Sequence, residues 1–239
     1  MTEPVSPATP ERIPLLDAWR GIAVIVMACW HLGWDLGLLE VIPPGVMRRP
    51  PAVTVRYFIV CSFVLISGIC ARFTRNALRR GLITLLAAAG ITVVTFLAGQ
   101  PAWFGILHML GCSLVLYALA GRYLERLPEL PAMIGTMLLF LILHGICYSV
   151  RVSVPWLFIF GLRTPDFYSS DYYPLFPWLF LFLFGTVLGG RVRASNAAWK
   201  TLPAPGFLTW TGRHALWIYL IHQPVLLAIL ALITGKTLW

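Results

Sequence analysis

Charge is what this chain has least of. Charged residues make up 11% of its 239 positions while 59% are hydrophobic, against about 25% charged and about 45–50% apolar in soluble domains. So little polar surface cannot cover so much apolar volume, which excludes a water-soluble enzyme and makes lipid the expected solvent. Acidic residues are scarcer still, nine against 18 basic ones, for a formal charge of +9. The basic residues fall in short loops between apolar runs rather than in a block, a pattern that orients a membrane protein, so no nucleic-acid partner is expected. A basic n-region is also missing. Glu3 and Glu11 stand in the first twelve residues, and the first apolar run has no small-residue cleavage pattern, so no removable signal peptide is expected. Finally, the five cysteines (Cys29, Cys61, Cys70, Cys112 and Cys147) form no close CxxC pair and no Cys/His metal spacing. They read as small buried hydrophobes, and neither disulfides nor a metal is expected.

Long uncharged runs fill the rest. Spans are predicted near 14–37, 53–72, 80–99, 102–121, 131–150, 174–190 and 212–234, each close to the ~20 residues that cross a ~30 Å hydrocarbon layer. The expected fold is therefore all-α, a polytopic transmembrane bundle of about seven spans. Residues 1–12 read as a cytoplasmic N-terminal tail and 13–239 as one transmembrane domain. Val154–Leu162 is apolar but covers only roughly 13 Å as a helix, so it is expected to be re-entrant or interfacial.

The loops carry two unequal sets of basic residues. Arg72, Arg75, Arg79, Arg80, Arg122, Arg126, Arg191, Arg193 and Lys200 fall on one side, and Arg48, Arg49, Arg151 and Arg163 on the other. The richer set is expected to be cytoplasmic, which puts the N-terminus inside and, with an odd number of spans, the C-terminus outside. The richer side reads mostly as orientation signals and contacts with membrane lipid.

Ionisable groups at membrane depth are costly, so each one is a functional candidate. The first span, LLDAWRGIAVIVMACWHLGWDL, is the richest in them. Arg20 and His31 are eleven positions apart, three helical turns plus about 20°, so they share a face about 16 Å apart along the axis. Asp17 and Asp35, three before the arginine and four after the histidine, extend the same stripe. An aspartate one turn after a histidine can hold one imidazole nitrogen and leave the other free as a base. An arginine near the inner surface suits phosphate, because its planar fork pairs with anionic oxygens. A structural role stands beside each: Arg20 snorkelling and pairing with Asp17, His31 bonding a neighbouring helix.

By depth, His108 and His144 are each about six residues from the outer boundary, roughly 9 Å deep and level with His31. Three histidines at one level predict the wall of a single outward cavity. His222 lies mid-span in the last helix, where a packing hydrogen bond competes with chemistry. The longest outer loop brings Asp166, Asp171, Tyr172 and Tyr173 close to Trp178, acids and aromatic faces that would suit a sugar or an amine at a pocket mouth.

The segment LLDAWRGIAVIVMACWH, an arginine followed by ten residues and a histidine, resembles the first catalytic helix of transmembrane acyltransferases. GILHMLG, DYYPLFPWLFLFLFGTVLG and TGRHALWIYLIHQPVLL follow in order. Together the four segments resemble the short bacterial relatives of heparan-alpha-glucosaminide N-acetyltransferase, from about Leu15 to Leu227. The resemblance implies an enzyme of a bacterial inner (plasma) membrane. It also implies acetyl-CoA as the donor, entering from the cytoplasm, and an amine or hydroxyl acceptor on the far side, commonly on a glycan. His31 would be the catalytic histidine, oriented by Asp35, Arg20 the motif arginine and His222 the histidine of the last-helix motif. Arg20, Arg79, Arg80 and Arg213 would hold the CoA. His108, His144, Asp171 and His222 would face the acceptor. So small a bundle also makes a homodimer an expectation. Direct attack with His31 as general base and an acetyl-imidazole intermediate both remain open. The rival classes are a proton-coupled transporter or flippase, disfavoured by the lack of inverted repeats, and a haem or quinone protein using His31, His108 or His144.

Overall fold

The computed structural model describes residues 12–43 and 45–235; most of the predicted tail, residues 1–11, lies outside them. These residues form eight α-helices: α1 (Pro14–Leu38), α2 (Pro50–Ala71), α3 (Ala77–Leu97), α4 (Ile106–Leu124), α5 (Glu129–Ser149), α6 (Leu175–Ala194), α7 (Gly206–Arg213) and α8 (Ala215–Thr234). Seven of them, all but α7, are long and apolar enough to cross a membrane. The loops with the richer basic set meet at one end, where Arg72 pairs with Glu125, Arg191 with Glu129 and Arg193 donates to the Arg72 carbonyl, while Arg151 and Arg163 lie side by side away from them. We call these the basic end, where α1 starts, and the far end.

Local chemistry sets the starts. Proline opens α1 and α2, where its missing N–H costs nothing. Asp17 adds a carboxylate to the positive end of α1, and the Asn76 side chain accepts from the Arg79 N–H at 3.0 Å to cap α3. The segment expected to be re-entrant or interfacial is a single 3-10 helix, Pro155–Phe160, ended by Gly161 at φ 99°.

α1, α2, α4 and α6 enclose the core, where Val24, Val64, Met109, Ser113, Phe182 and Thr186 are completely buried. In lipid no hydrophobic force separates helix from solvent, so close packing of small residues has to do the joining. α2 and α6 meet at Gly68 and Gly185: a Cβ on Gly68 would lie 2.2 Å from the Phe182 carbonyl oxygen. α1 and α7 meet even more tightly, since a Cβ on Gly212 would lie 1.8 Å from the Asp17 carbonyl oxygen. α3, α5 and α8 stand at the periphery and turn large apolar side chains outward, as with Leu86, Leu141 and Leu232.

One span differs from the reading of the sequence. The predicted run 212–234 is broken at His214 (φ −99°, ψ 13°), which separates α7 from α8. Residues 212 and 213 thereby belong to a short helix held against the start of α1. Hydropathy is continuous across the break; the docking of Gly212 on α1 is what decides it.

Gly68→Leu is expected to destabilise the detergent-solubilised protein by about 1–3 kcal/mol through overpacking, read as a lower thermal midpoint. Gly90→Ala, whose Cβ would meet nothing within 4 Å, should leave the midpoint in place.

Candidate active site

The polar stripe of α1 exists, and along its whole length it faces α7 and α8. At the basic end Arg20 donates to Asp17 Oδ1 (3.2 Å), to the Gly212 carbonyl (3.4 Å) and to Cys70 Sγ (3.0 Å). Arg213 adds its Nε–H to Asp17 Oδ2 at 3.4 Å. Arg80 donates to Thr74 Oγ1 (2.5 Å), which donates to the carbonyl of Cys70 (3.0 Å), the residue whose Sγ Arg20 reaches. Arg20, Arg80 and Arg213 therefore gather within one region. Arg79 is exposed, and its backbone N–H donates to Asn76 Oδ1.

Further along the stripe, the two carboxylate oxygens of Asp35 accept from Gln223 Nε2 at 3.0 and 2.9 Å. This corrects the expectation that Asp35 holds His31. Among the described residues no hydrogen bond joins the two, because a side-chain amide from α8 reaches the buried carboxylate first. His31 instead sets its ring edge-on to that of His222, with centroids 4.9 Å apart. His222 Nδ1 lies 2.7 Å from the Tyr219 carbonyl oxygen. A carbonyl can only accept, so Nδ1 carries the proton and Nε2 carries the lone pair. That Nε2 is buried and has no hydrogen-bond partner.

His31 also lines a cavity of about 360 Å³ toward the far end, together with Trp30, Tyr57, His144, Asp171 and Trp178. His144 sits within a cage of Tyr57, Phe140 and Trp178 rings, with centroids 6.0, 5.8 and 6.2 Å away. The third histidine does not join them. His108 is absent from the cavity wall; it stacks on Phe104 (5.5 Å), and its Nε2 lies 3.3 Å from Thr92 Oγ1. Since Thr92 spends its own proton on the Ala102 carbonyl at 2.7 Å, His108 Nε2–H is the donor. The single wall of three histidines is thus corrected to His31 and His144. Equal depth does not fix which way a ring turns, and α3 supplies His108 with a partner.

Asp171 reaches the cavity from the loop before α6. The backbone there pairs with the loop before α4: Tyr173 N–H donates to the Phe104 carbonyl (2.8 Å) and Ser170 N–H to the Pro101 carbonyl (3.0 Å). Asp171 Oδ2 accepts from the Ile106 N–H (3.1 Å), capping α4 from outside, and from Tyr219 Oη (3.4 Å). A Cβ on Gly105 would lie 2.1 Å from that oxygen, so only glycine admits the carboxylate. Burial pushes the Asp171 carboxyl up to about 6, and these two hydrogen bonds offset it only in part. Asp166 is exposed.

The sequence reading missed Gln223, the partner of Asp35, and Arg56 and Tyr57, which line the cavity. Arg56 carried a signal, being a charge inside the apolar run AVTVRYFIV. Gln223 carried none beyond its place next to His222.

The model of the family described as "Heparan-alpha-glucosaminide N-acetyltransferase, catalytic" matches residues 12–224. No curated protein and no solved structure matches the chain. The matched region takes in the α1 stripe, the cavity and the His31–His222 pair, and on this match the chain belongs to the heparan-alpha-glucosaminide N-acetyltransferase catalytic family.

Proposed function

We propose that this chain transfers an acetyl group from acetyl-CoA, bound at the basic end, to an amine or hydroxyl in the far-end cavity, the acceptor being part of a glycan. In this reading the basic end faces the cytoplasm of a bacterial cell, because it holds the larger share of loop Lys and Arg. The CoA phosphates rest among Arg20, Arg80 and Arg213, and the thioester arm follows α1 toward His31. Membership in an acetyltransferase family supports the reaction class.

The observation that carries the mechanism is the pairing of a cavity-lining imidazole with a buried imidazole whose Nε2 has no other partner. His222, locked as its Nδ1–H tautomer by the Tyr219 carbonyl, has a lone pair to offer to an N–H of His31. His31 then has its other nitrogen free for the acceptor. It takes the acceptor proton as the acceptor nitrogen or oxygen attacks the thioester carbonyl carbon. The carbon–sulfur bond breaks and the CoA thiolate leaves, taking up that proton. His222 steadies the imidazolium that forms in between, and Asp35–Gln223 pins the last turns of α1 so that the imidazole stays in place.

His31→Ala is expected to lower kcat by roughly 10²–10⁴ with acetyl-CoA affinity unchanged in nanodisc binding assays; turnover near wild type would remove this histidine from the chemistry. Initial-rate patterns should be those of a ternary complex, whereas CoA release before the acceptor binds would mean an acetyl-imidazole. Arg20→Lys keeps the ion pair with Asp17 but loses the fork. It should weaken acetyl-CoA binding roughly tenfold, the order of one charge-assisted hydrogen bond, and an unchanged Kd would return Arg20 to a purely structural role.

A further inference from the structure

The far-end cavity is closed above by one means and at its side by another. The loop between α5 and α6 roofs it, and hydrogen bonds tie that roof down: Tyr172 Oη donates to the Phe158 carbonyl (2.6 Å), Tyr168 Oη to Gln100 Oε1 (2.6 Å) and Ser170 Oγ to the Gln100 carbonyl (2.9 Å). Among the described residues no hydrogen bond joins α2 to α5. Both helices pack along α6 and are not packed on each other. Rings fill the space between them. Tyr57 of α2 and His144 of α5 meet with centroids 6.0 Å apart, and each lies against Trp178 of α6, at 6.4 and 6.2 Å.

That side faces lipid. Tyr57 and His144 lie about 8–10 Å inside the far ends of their helices, and around them Val55 and Phe58 on α2 and Leu141 and Ile142 on α5 are exposed. In a spanning bundle such side chains meet acyl chains. Arg56 stands on the same rim: it lines the cavity, it is exposed, and its guanidinium lies 5.8 Å from the centre of the Tyr57 ring. The ion pairs among the described residues use Asp17, Glu125 and Glu129 and leave Arg56 out. A cation facing hydrocarbon is costly, and an arginine stem is long enough to carry the charge up to lipid phosphates. The rim therefore has the polarity of the level at which headgroups give way to chains.

We propose that the acceptor enters this cavity sideways from the outer leaflet, between α2 and α5, and is a membrane-borne amphiphile: a polar head carrying the amine or hydroxyl, on a hydrocarbon chain that stays in the bilayer. The inference rests on the acetyl-transfer reading and names the phase from which its acceptor comes. Opening the side asks for rotation of the Tyr57 and His144 side chains, whereas entry through the roof breaks the hydrogen bonds that hold the loop. The cavity, about 360 Å³, is near the lower end of the ~300–1,000 Å³ range of ligand sites. It holds one head and leaves a long chain outside.

The test uses the full chain in nanodiscs of zwitterionic lipid, with octadecyl glucosaminide in the bilayer or methyl glucosaminide in the water as acceptor. At equal total concentration the octadecyl compound should be acetylated roughly tenfold faster or more, since the bilayer concentrates it at the opening. Equal rates, or a faster reaction with the methyl compound, overturn the proposal. Gly145→Trp sets an indole beside His144, at an exposed position where a Cβ meets nothing within 4 Å. It should slow the octadecyl compound, leave the methyl compound unchanged and so bring the ratio toward one. An unchanged ratio counts against the opening, and unaltered acetyl-CoA affinity shows that the variant is folded. Photo-cross-linking with a diazirine-bearing octadecyl glucosaminide, without acetyl-CoA, separates the opening from the acetyl-transfer reading. Labelling of residues 54–58 and 141–148 that excess octadecyl glucosaminide suppresses and octadecanol does not supports the opening even where no acetyl is transferred. Labelling spread evenly over the lipid-facing helices, or indifferent to the competitor, overturns it even where acetyl transfer is found.

Discussion

A polar group inside hydrocarbon must find its partner within the protein, and α1 carries more such groups than any other helix of this bundle. Its stripe meets that demand twice. Near its start Asp17 and Arg20 are satisfied by each other and by α7. Near its end Asp35 is satisfied by Gln223 of α8. Two fixed points so far apart leave a stiff helix no freedom to rotate about its axis. His31, lying between them, has its direction set by bonds that do not involve it. The imidazole can thus face a cavity without being tied up by the hydrogen bonds that hold it there.

The break at His214 follows from the same demand. Gly212 lies against Asp17 before the break, and Gln223 lies beside Asp35 after it. Splitting the helix there lets α7 dock by backbone contact, with the glycines supplying the close approach, while α8 takes its own angle. Pro224 loosens α8 just after Gln223, since it has no N–H to give the turn before it. The His222–Gln223 pair therefore sits where the helix is least constrained by its own hydrogen bonds and most by side chains across the seam.

The spans were legible because the rule behind them is one-dimensional: about 20 apolar residues, then a charge or a proline. α1 and α5 lie close to their predicted positions for that reason. The polar stripe was legible too, since helical periodicity needs only a register. What the sequence could not show were choices among partners. Asp35 is one turn from His31 by spacing, yet its partner lies 188 positions away. His108 shares a depth with His31, but Thr92 on another helix turns its ring aside. Arg163 entered the count of loop charges as an orientation signal, and only the closing of two loops over the cavity makes it a cavity group.

Toward the cavity the interior of the bundle between α1 and α2 is apolar. Val24 and Met27 of α1 and Val60, Phe63 and Val64 of α2 belong to one buried apolar cluster, and Met27, Val60 and Phe63 form the floor where it meets the cavity. Such a layer is a poor path for ions, since a charge entering it loses its hydration and finds no polar groups to replace it. In the proposed reaction the acetyl thioester, small and neutral, is placed at the edge of that layer while the CoA phosphates stay with the arginines. The acceptor, met from the other end, needs no more than its nucleophilic atom at the same edge. In the proposed reaction the apolar layer does for specificity what the polar stripe does for orientation. It admits the uncharged part of the donor and keeps the CoA phosphates away from the acceptor's cavity.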